Sequence, residues 1–165
     1  MRPFAGMRRA VRADALAVCG IQAASYPVAF QESTATVSAI LSEGLSWVFV
    51  DDDDRVVGYA LVHETSDLRT PPHLNEIAPF FAHGSGHMFL RDVCVAPSHR
   101  SLGIGKALVR SVLADARVAR ASLSLVSMED RVWFWVQFGM MPSKDCAWDY
   151  RAEYGPGAML MVACG

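Results

Sequence analysis

LRDVCVAPSHRSLGIGKAL, residues 90–108, is the stretch of this sequence that decides its fold. An apolar run ends at Pro97, a turn with Gly103 and Gly105 follows, and an amphipathic helical pattern begins at once. The first N–H groups of a helix lack helical acceptors, and the helix dipole adds partial positive charge at the same end. A strand, a glycine turn and a helix in this order therefore predict a site for a phosphate or pyrophosphate group.

The side chains of this turn support an anion site and exclude two familiar versions of it. Gly103 and Gly105 allow close approach of the backbone, while Arg100 and Lys106 add positive charge. A Walker A loop has glycine five residues before its Gly-Lys pair and a hydroxyl residue after the lysine, where this chain has Arg100 and Ala107. A Rossmann fingerprint has a third glycine at position 108, which is leucine here.

The composition is typical of one globular domain. The chain has 165 residues, of which 52% are hydrophobic and 19% charged, and this excludes a disordered chain. A net charge of −2 disfavours a general nucleic-acid binder. The sequence has no apolar run of membrane-spanning length and no apolar secretory segment at its start, so we expect neither membrane insertion nor secretion. Four separated cysteines without a CxxC pair predict reduced thiols, a cytoplasmic location and no metal site: Cys19, Cys94, Cys146 and Cys164.

Periodicity and turn signals predict alternating strands and helices. Expected strands are 7–11, 47–50, 55–63, 88–95, 121–127, 147–150 and 158–162. Expected helices are 15–26 after an Asp14 N-cap, a short one that starts within 32–34 and ends near Gly44, 103–119 and 129–138, the last ending at Gly139. The four aspartates at 51–54 predict a hairpin turn, and residues 64–86 are expected to be irregular. Together these elements predict an α/β or α+β domain of three layers.

In this setting Arg100–Gly105 resembles the [Arg/Gln]-x-x-Gly-x-[Gly/Ala] acetyl-CoA signature of the GNAT superfamily of N-acetyltransferases. Most of the chain is similar to that family in the order of its elements, including an aromatic helix around 134–138 that ends in glycine. The resemblance implies a GNAT-like three-layer fold, with a mixed twisted sheet of about six to seven strands and about four helices. It implies a single acetyltransferase domain over residues 1–165, with residues 1–6 as a flexible N-terminus.

The resemblance also implies where acetyl-CoA binds as co-substrate. In the family the fourth and fifth strands separate, and the pantetheine arm lies between them. The expected main-chain contacts to this arm come from Val93, Cys94 and Val95, and the far wall from Phe134 and Trp135, although core packing explains several of these residues equally well. The pyrophosphate is expected on Arg100, Ser101, Leu102, Gly103, Ile104, Gly105 and Lys106.

The reaction that the resemblance implies is direct attack of an amine on the acetyl thioester in a ternary complex. It needs a base for the ammonium and donors for the oxyanion, and an acid assists the leaving thiolate. The family often supplies the acid from a tyrosine, but Trp135 stands at that position, and an indole is only a hydrogen-bond donor. Tyr154 is the favoured substitute, ahead of Tyr150. Asp92 is the candidate base, the alternative being a carboxylate that orients a neighbouring arginine.

The acceptor is expected between the first two helices and the loop before the fourth strand. Glu32 and Glu76 are candidates to attract a cation, while Tyr26, Phe30 and the aromatics at 80–81 offer an apolar surface. The expected partner is a small-molecule or peptide amine, and amino acids, polyamines, antibiotics and protein N-termini all stay open. A homodimer through Trp133 or residues 159–161 is a further expectation, with core packing as the alternative. The competing function is a non-catalytic acyl-CoA sensor or partner-binding module.

Overall fold

A seven-stranded mixed sheet forms the centre of the computed structural model, which describes residues 6–77 and 84–163. The spatial order is β1-β2-β3-β4-β5-β7-β6, with β4 and β5 parallel and all other neighbours antiparallel. The strands are β1 (Met7–Arg9), β2 (Trp47–Val50), β3 (Val56–Glu64), β4 (His87–Val95), β5 (Ser122–Ser127), β6 (Met141–Ser143) and β7 (Met159–Ala163).

Helices cover both faces of this sheet. They are α1 (Ala15–Ser25), α2 (Thr34–Ser42), α3 (Ile104–Ala119), α4 (Val132–Val136) and α5 (Arg151–Tyr154). The apolar stripe of α3, including Leu108 and Val112, packs on one face of the sheet, and Trp135 of α4 joins the same cluster. Residues of α1 and α2, including Val18 and Ile40, fill the opposite face. The three-layer α/β fold with a mixed central sheet that the sequence predicts is confirmed.

Local hydrogen bonds explain where the first two helices begin. Ser33 caps α2, because its hydroxyl accepts the Thr36 N–H at 3.1 Å. Asp14 is buried before α1, but it does not cap that helix as the sequence predicts. Its carboxylate accepts two bonds of 2.8 Å from the Arg8 guanidinium and one from the Val11 N–H, so it ties the start of α1 to β1.

The predicted hairpin between β2 and β3 is confirmed. Asp51 and Arg55 close the turn through a main-chain bond of 2.9 Å. The Asp51 carboxylate accepts the N–H groups of Asp53 and Arg55. Because that carboxylate is used within the turn, the run of aspartates has a structural explanation.

The strand predicted at 147–150 is wrong. Trp148 and Tyr150 alternate with polar residues as in a strand, but the Trp148 indole donates to the Pro71 carbonyl at 2.8 Å and the Tyr150 hydroxyl accepts the Leu160 N–H at 2.9 Å. These aromatic side chains fix the segment against the loop at 65–77 and β7 without a ladder. The sheet instead ends in β6, which pairs with β7 and contains Pro142, as an edge strand tolerates.

The sequence leaves residues 159–161 open as either core or dimer-interface residues. Leu160 and Met161 are fully buried in the core of this chain, so their side chains are not available to contact a second copy.

Candidate active site

The central feature of the site is a gap between β4 and β5. The two strands pair only from His87 to Phe89 and from Ser122 to Ser124. Beyond this point, which we call the vertex, β4 continues beside β3 and β5 continues beside β7. The strands therefore separate as they leave the vertex, and a cleft of about 840 Å³ opens there, lined by residues of both strands.

The glycine turn lies at the wide end of this cleft. Ser101 and Gly103 adopt left-handed backbone conformations, with φ of 66° and 81°. The first helical bond of α3 joins the Ala107 N–H to the Gly103 carbonyl at 3.0 Å, so the N–H groups of 104–106 have no helical acceptor. A Cβ at Gly103 has no protein atom within 4 Å, because this backbone faces open space at the cleft. The turn thus has the geometry of an anion site, as the sequence predicts.

The basic residues of the turn have different roles. Arg100 lines the cleft, but its guanidinium donates to the Val95 carbonyl at 3.1 Å and the Ser25 hydroxyl at 2.9 Å, which fixes the end of β4 to α1. Lys106 is exposed and lines the cleft. Leu102 is 66% exposed and lies outside the lining, whereas the other predicted residues of the turn belong to it.

Aromatic side chains of α4 form the far wall. Phe134 and Trp135 both line the cleft and meet edge to face, with ring centroids 5.0 Å apart. Phe138 supports Phe134 from behind at a centroid distance of 5.2 Å. Trp133 also lines the cleft while 66% of it is exposed, a position that the sequence does not assign to the site.

A β-bulge at Arg91 turns polar side chains toward the first helical layer. In the β3–β4 ladder Leu61 faces Asp92 and Val62 faces Leu90, which leaves Arg91 as the extra residue. The bulge shifts the alternation of side chains, so Leu90 packs with the α3 face while Arg91 and Asp92 both reach partners on the α1–α2 side.

Asp92 lies on β4 just beyond the vertex and accepts two phenolic hydroxyls. Tyr26 donates to Oδ1 at 2.9 Å and Tyr59 donates to Oδ2 at 2.5 Å. Burial raises the pKa of Asp92 to about 6, although both tyrosine bonds act to lower it. Burial and the Asp92 charge raise the pKa of both tyrosines, which therefore stay protonated and donate. Tyr26 and Asp92 line the cleft together, with Cys94 beside them.

Arg91 and Glu32 form a buried ion pair beside the vertex. Arg91 Nε donates to Glu32 Oε1 at 2.6 Å, with side chains only 2% and 4% exposed. The remaining guanidinium nitrogens donate to the Glu76 carbonyl at 2.8 Å and the His73 carbonyl at 3.0 Å. Glu32 lines the cleft as predicted, but its charge is matched by Arg91, so it does not offer a free carboxylate to a cation.

Of the other residues predicted to bind substrate or to act as the acid, some line the cleft and some do not. Phe30 lines the cleft, whereas the Glu76 carboxylate accepts the His73 N–H at 2.9 Å and lies outside the lining. Tyr154 lines the cleft, and its hydroxyl donates to the Pro72 carbonyl at 2.9 Å. Burial raises the pKa of Tyr154. The predicted aromatics at 80–81 lie outside the described residues.

Sequence reasoning does not identify Tyr59 or the diverging end of β5 as parts of the site. Tyr59 is fully buried in β3, and a phenol within an otherwise apolar strand is the signal that a hydrogen-bond partner lies nearby. The sequence predicts a core strand for residues 125–127, and they line the cleft only because β5 separates from β4 there.

Two further searches concern the described residues alone. Across 6–77 and 84–163, no three histidine, cysteine or acidic side chains are arranged to hold a metal ion. No helix in the same ranges combines the length and apolarity needed to cross a membrane.

Comparison with known proteins places this geometry in a family. Residues 15–139 match the model of the acetyltransferase (GNAT) family. No curated protein matches the sequence significantly.

Solved structures share the fold at low sequence identity. The GphF GNAT-like decarboxylase, solved with isobutyryl-CoA, is 18% identical with a TM-score of 0.77, covering 94% of this chain and 96% of its own. The loading GNATL domain of CurA from Lyngbya majuscula is 11% identical with a TM-score of 0.77, covering 96% of both chains. Naa50 from Arabidopsis thaliana, solved with the bisubstrate analogue CoA-Ac-MVNAL, is 16% identical with a TM-score of 0.67, covering 94% and 95%. Since the family model spans most of the domain and the separated strands meet a glycine turn, the chain belongs to the GNAT acetyltransferase family.

Proposed function

We propose that this protein transfers an acetyl group from acetyl-CoA to a primary amine by direct attack in a ternary complex. The observation that carries the proposal is one continuous cleft, which joins an anion-binding turn, an open strand edge and a buried carboxylate. A coenzyme A thioester needs these features in this order, from its pyrophosphate to its reactive end.

The residues of the cleft fit such a co-substrate. The free N–H groups at 104–106 and the Lys106 ammonium suit the pyrophosphate. The edge of β4 at 93–95 has no strand partner on the β5 side and suits the amide groups of pantetheine. Phe134 and Trp135 provide an apolar wall on the opposite side.

Asp92 is the proposed base, and Tyr26 is the route to it. At neutral pH a carboxyl group with a pKa of about 6 is mostly ionised, so Asp92 can accept a proton. Tyr26 reaches the cleft while donating to Asp92, so its oxygen can accept the proton of the incoming ammonium as its own proton moves to Asp92. The neutral amine then attacks the thioester carbon, forming a C–N bond as the C–S bond breaks, and the extra proton on the nitrogen passes to the leaving thiolate so that the products are the amide and coenzyme A thiol.

The leaving thiolate has Tyr154 as its proposed proton donor. The Tyr154 hydroxyl donates to the Pro72 carbonyl, so it must leave that carbonyl and turn to the thioester sulfur before it can give up its proton. Without this exchange, coenzyme A still leaves as a thiolate, because the pKa of a thiol is modest. The test is therefore Tyr154→Phe, which lowers kcat and leaves acetyl-CoA affinity unchanged if the tyrosine is the acid.

The second candidate function is an acyl-CoA sensor without turnover. Trp135 favours it, because an indole stands where the family often has a phenolic acid. The Tyr26–Asp92 pair favours the enzyme instead, since a cofactor-binding site alone does not need a buried proton acceptor at the reactive end.

The first experiment is calorimetric titration of the purified chain with acetyl-CoA, with ATP and NADH as controls, followed by thiol release with a panel of amines. The enzyme is supported by selective acetyl-CoA binding and by transfer that Asp92→Asn lowers about 100-fold or more, within the usual range for a general base. Binding without transfer to any amine supports the sensor. A folded sample that does not bind acetyl-CoA contradicts both functions.

The location, the partners and the oligomeric state of this protein are also part of the proposal. We expect a cytoplasmic enzyme that acts on a small-molecule or peptide amine, without nucleic acid, membrane or metal. Trp133, exposed on α4, is the side chain expected to contact a second copy in a homodimer.

A further inference from the structure

A short segment crosses the end of the cleft where an acceptor must approach Asp92. We call residues 71–76 the acceptor strap. It runs between the connection from α1 to α2, the bulge of β4 and the C-terminal segment that contains α5. Leu74 is the strap residue that lines the cleft.

The main chain of the strap is occupied by the protein itself. The Pro71 and Pro72 carbonyls accept from Trp148 and Tyr154, at 2.8 and 2.9 Å. The His73 and Glu76 carbonyls accept from Arg91. The four N–H groups at 73–76 donate to the Glu76, Glu153 and Glu32 carboxylates and to the His73 carbonyl. Two prolines lack N–H groups altogether, so all four N–H groups and four of the six carbonyls of this backbone are used, and the Leu74 and Asn75 carbonyls remain.

The contacts that hold the strap are also costly to open. Glu32 binds both Arg91 and the Asn75 N–H, the second at 2.6 Å, and the Arg91–Glu32 pair is almost completely buried. Asn75 in turn accepts the Ser33 N–H at 2.6 Å through its side chain. Displacing the strap would take the His73 and Glu76 carbonyls from Arg91 and the Asn75 N–H from Glu32, which leaves polar groups of a buried ion pair unsatisfied, so the strap stays in place.

This arrangement disfavours a polypeptide acceptor. An extended peptide is commonly recognised through main-chain hydrogen bonds to the surface that it crosses. The strap has no N–H group left to donate and only the Leu74 and Asn75 carbonyls left to accept, and it contributes the apolar side chain of Leu74 to the cleft.

The charges at this end disfavour an acceptor with a second cationic group. Glu32 is neutralised by Arg91, and the Asp92 carboxylate accepts two tyrosine hydroxyls. The Glu76 carboxylate points to the His73 N–H and lies outside the lining. A second ammonium group therefore loses its water shell without gaining a free carboxylate. Phe30 and Leu74 add apolar contacts at this end, beside the uncharged side chains of Tyr26 and Tyr154.

We propose, on the basis of the proposed acetyl transfer, that the acceptor is a compact primary amine with an uncharged, apolar body. Polyamines and polypeptide N-termini are poor acceptors for this site, because the strap offers few main-chain partners and the paired carboxylates offer no free negative charge.

The test compares three acceptors with the full chain and acetyl-CoA. The probes are 2-phenylethylamine, spermidine and the peptide Met-Val-Asn-Ala-Leu, and the readouts are thiol release and the mass of the product. We expect kcat/KM for 2-phenylethylamine to exceed the other two values by about tenfold or more, a typical discrimination for a site that leaves polar groups unpaired. A peptide or spermidine value equal to or above that of 2-phenylethylamine overturns the inference while acetyl transfer stands.

A variant tests the role of the strap directly. Leu74→Asp adds a carboxylate to the acceptor end, and it should raise the ratio of spermidine to 2-phenylethylamine in kcat/KM about tenfold or more. Leu16→Asp is the matched control, because Leu16 is 76% exposed near the start of α1 and lies outside the lining. An unchanged ratio in Leu74→Asp, with acetyl-CoA affinity preserved, overturns the strap's role. Acetyl-CoA binding without transfer to any of the three probes overturns this inference, and the proposed function falls with it only if the wider panel of amines also shows no transfer.

Discussion

Asp92 shows how a single carboxylate becomes a candidate base through residues that are distant in sequence. Tyr26 and Tyr59 lie 66 and 33 positions before it, yet both hydroxyls reach its oxygens. The sequence identifies Asp92 as a polar residue on an apolar strand, but nothing near it in the chain specifies the two phenols. Tyr59 is a positioning residue, since it lies outside the cleft lining and acts only through the carboxylate.

The pH dependence of the reaction follows from this environment. Because only ionised Asp92 accepts a proton, kcat at saturating substrates should rise between pH 5 and 7 with an apparent pKa of about 6. Tyr59→Phe removes a bond that stabilises the ionised form, so the profile should move to higher pH. Tyr150→Phe is the matched control, since that hydroxyl accepts the Leu160 N–H, and its profile should keep the wild-type midpoint. A profile that does not move in Tyr59→Phe contradicts the assignment of Asp92.

At the scale of elements, the backbone geometry of the glycine turn follows closely from the sequence. The proposed anion binding depends on this local geometry, which a short motif encodes. The bulge of β4 is the opposite case. Arg91 and Asp92 are adjacent on a strand whose regular alternation predicts opposite directions for them, and only the ladder with β3 shows the extra residue. The strand prediction at 147–150 is wrong for a related reason. Long-range hydrogen bonds of Trp148 and Tyr150 hold the segment in a non-strand conformation in spite of its strand-like alternation.

Two glycine substitutions separate the turn's role in binding from its role in folding. Gly103→Ala and Gly44→Ala both place a Cβ on a left-handed backbone, with φ of 81° and 74°, and neither Cβ meets a protein atom within 4 Å. Each should lower the free energy of unfolding by about 1 kcal/mol. Only Gly103→Ala puts a methyl group where the pyrophosphate approaches, so only that variant should weaken acetyl-CoA binding, by about tenfold or more in calorimetry. Equal affinities in the two variants would remove the turn from the binding site.

Across the whole molecule, the acceptor end is assembled from parts that no local pattern connects. Residues near positions 32, 75, 91 and 153 meet around the strap, and the sheet order that brings them together emerges only from tertiary packing. The sequence therefore predicts the layers and the backbone form of the glycine turn, but not that Glu32 is paired. The class of acceptor can therefore be inferred only from the structure, because the pairing of Glu32 and the position of the strap are not visible in the sequence.

The stability of the whole molecule should also depend on two buried groups with opposite pH effects. Burial lowers the pKa of His63 from 6.5 to about 4, so acidification through this range protonates the unfolded chain first and destabilises the fold. Burial raises the pKa of Asp92 from 3.8 to about 6, so its contribution is present at low pH and is lost as pH rises through about 6. Between pH 4 and 6 the two contributions largely cancel in the wild-type chain.

A variant that lacks one of these two groups should show the pH dependence of stability that the other group contributes. In Asp92→Asn, the free energy of unfolding should fall more steeply than in the wild type on acidification from pH 6 to 4, by up to about 1.4 kcal/mol per pH unit. In His63→Gln the difference from the wild type should have the opposite sign, since only the Asp92 contribution remains. Urea unfolding at half-unit steps of pH measures both differences, and other titrating groups drop out because all three proteins share them. Curves that stay parallel across this range would show that neither burial shifts the protonation of the fold, and they would also remove the basis for a base with a pKa of about 6.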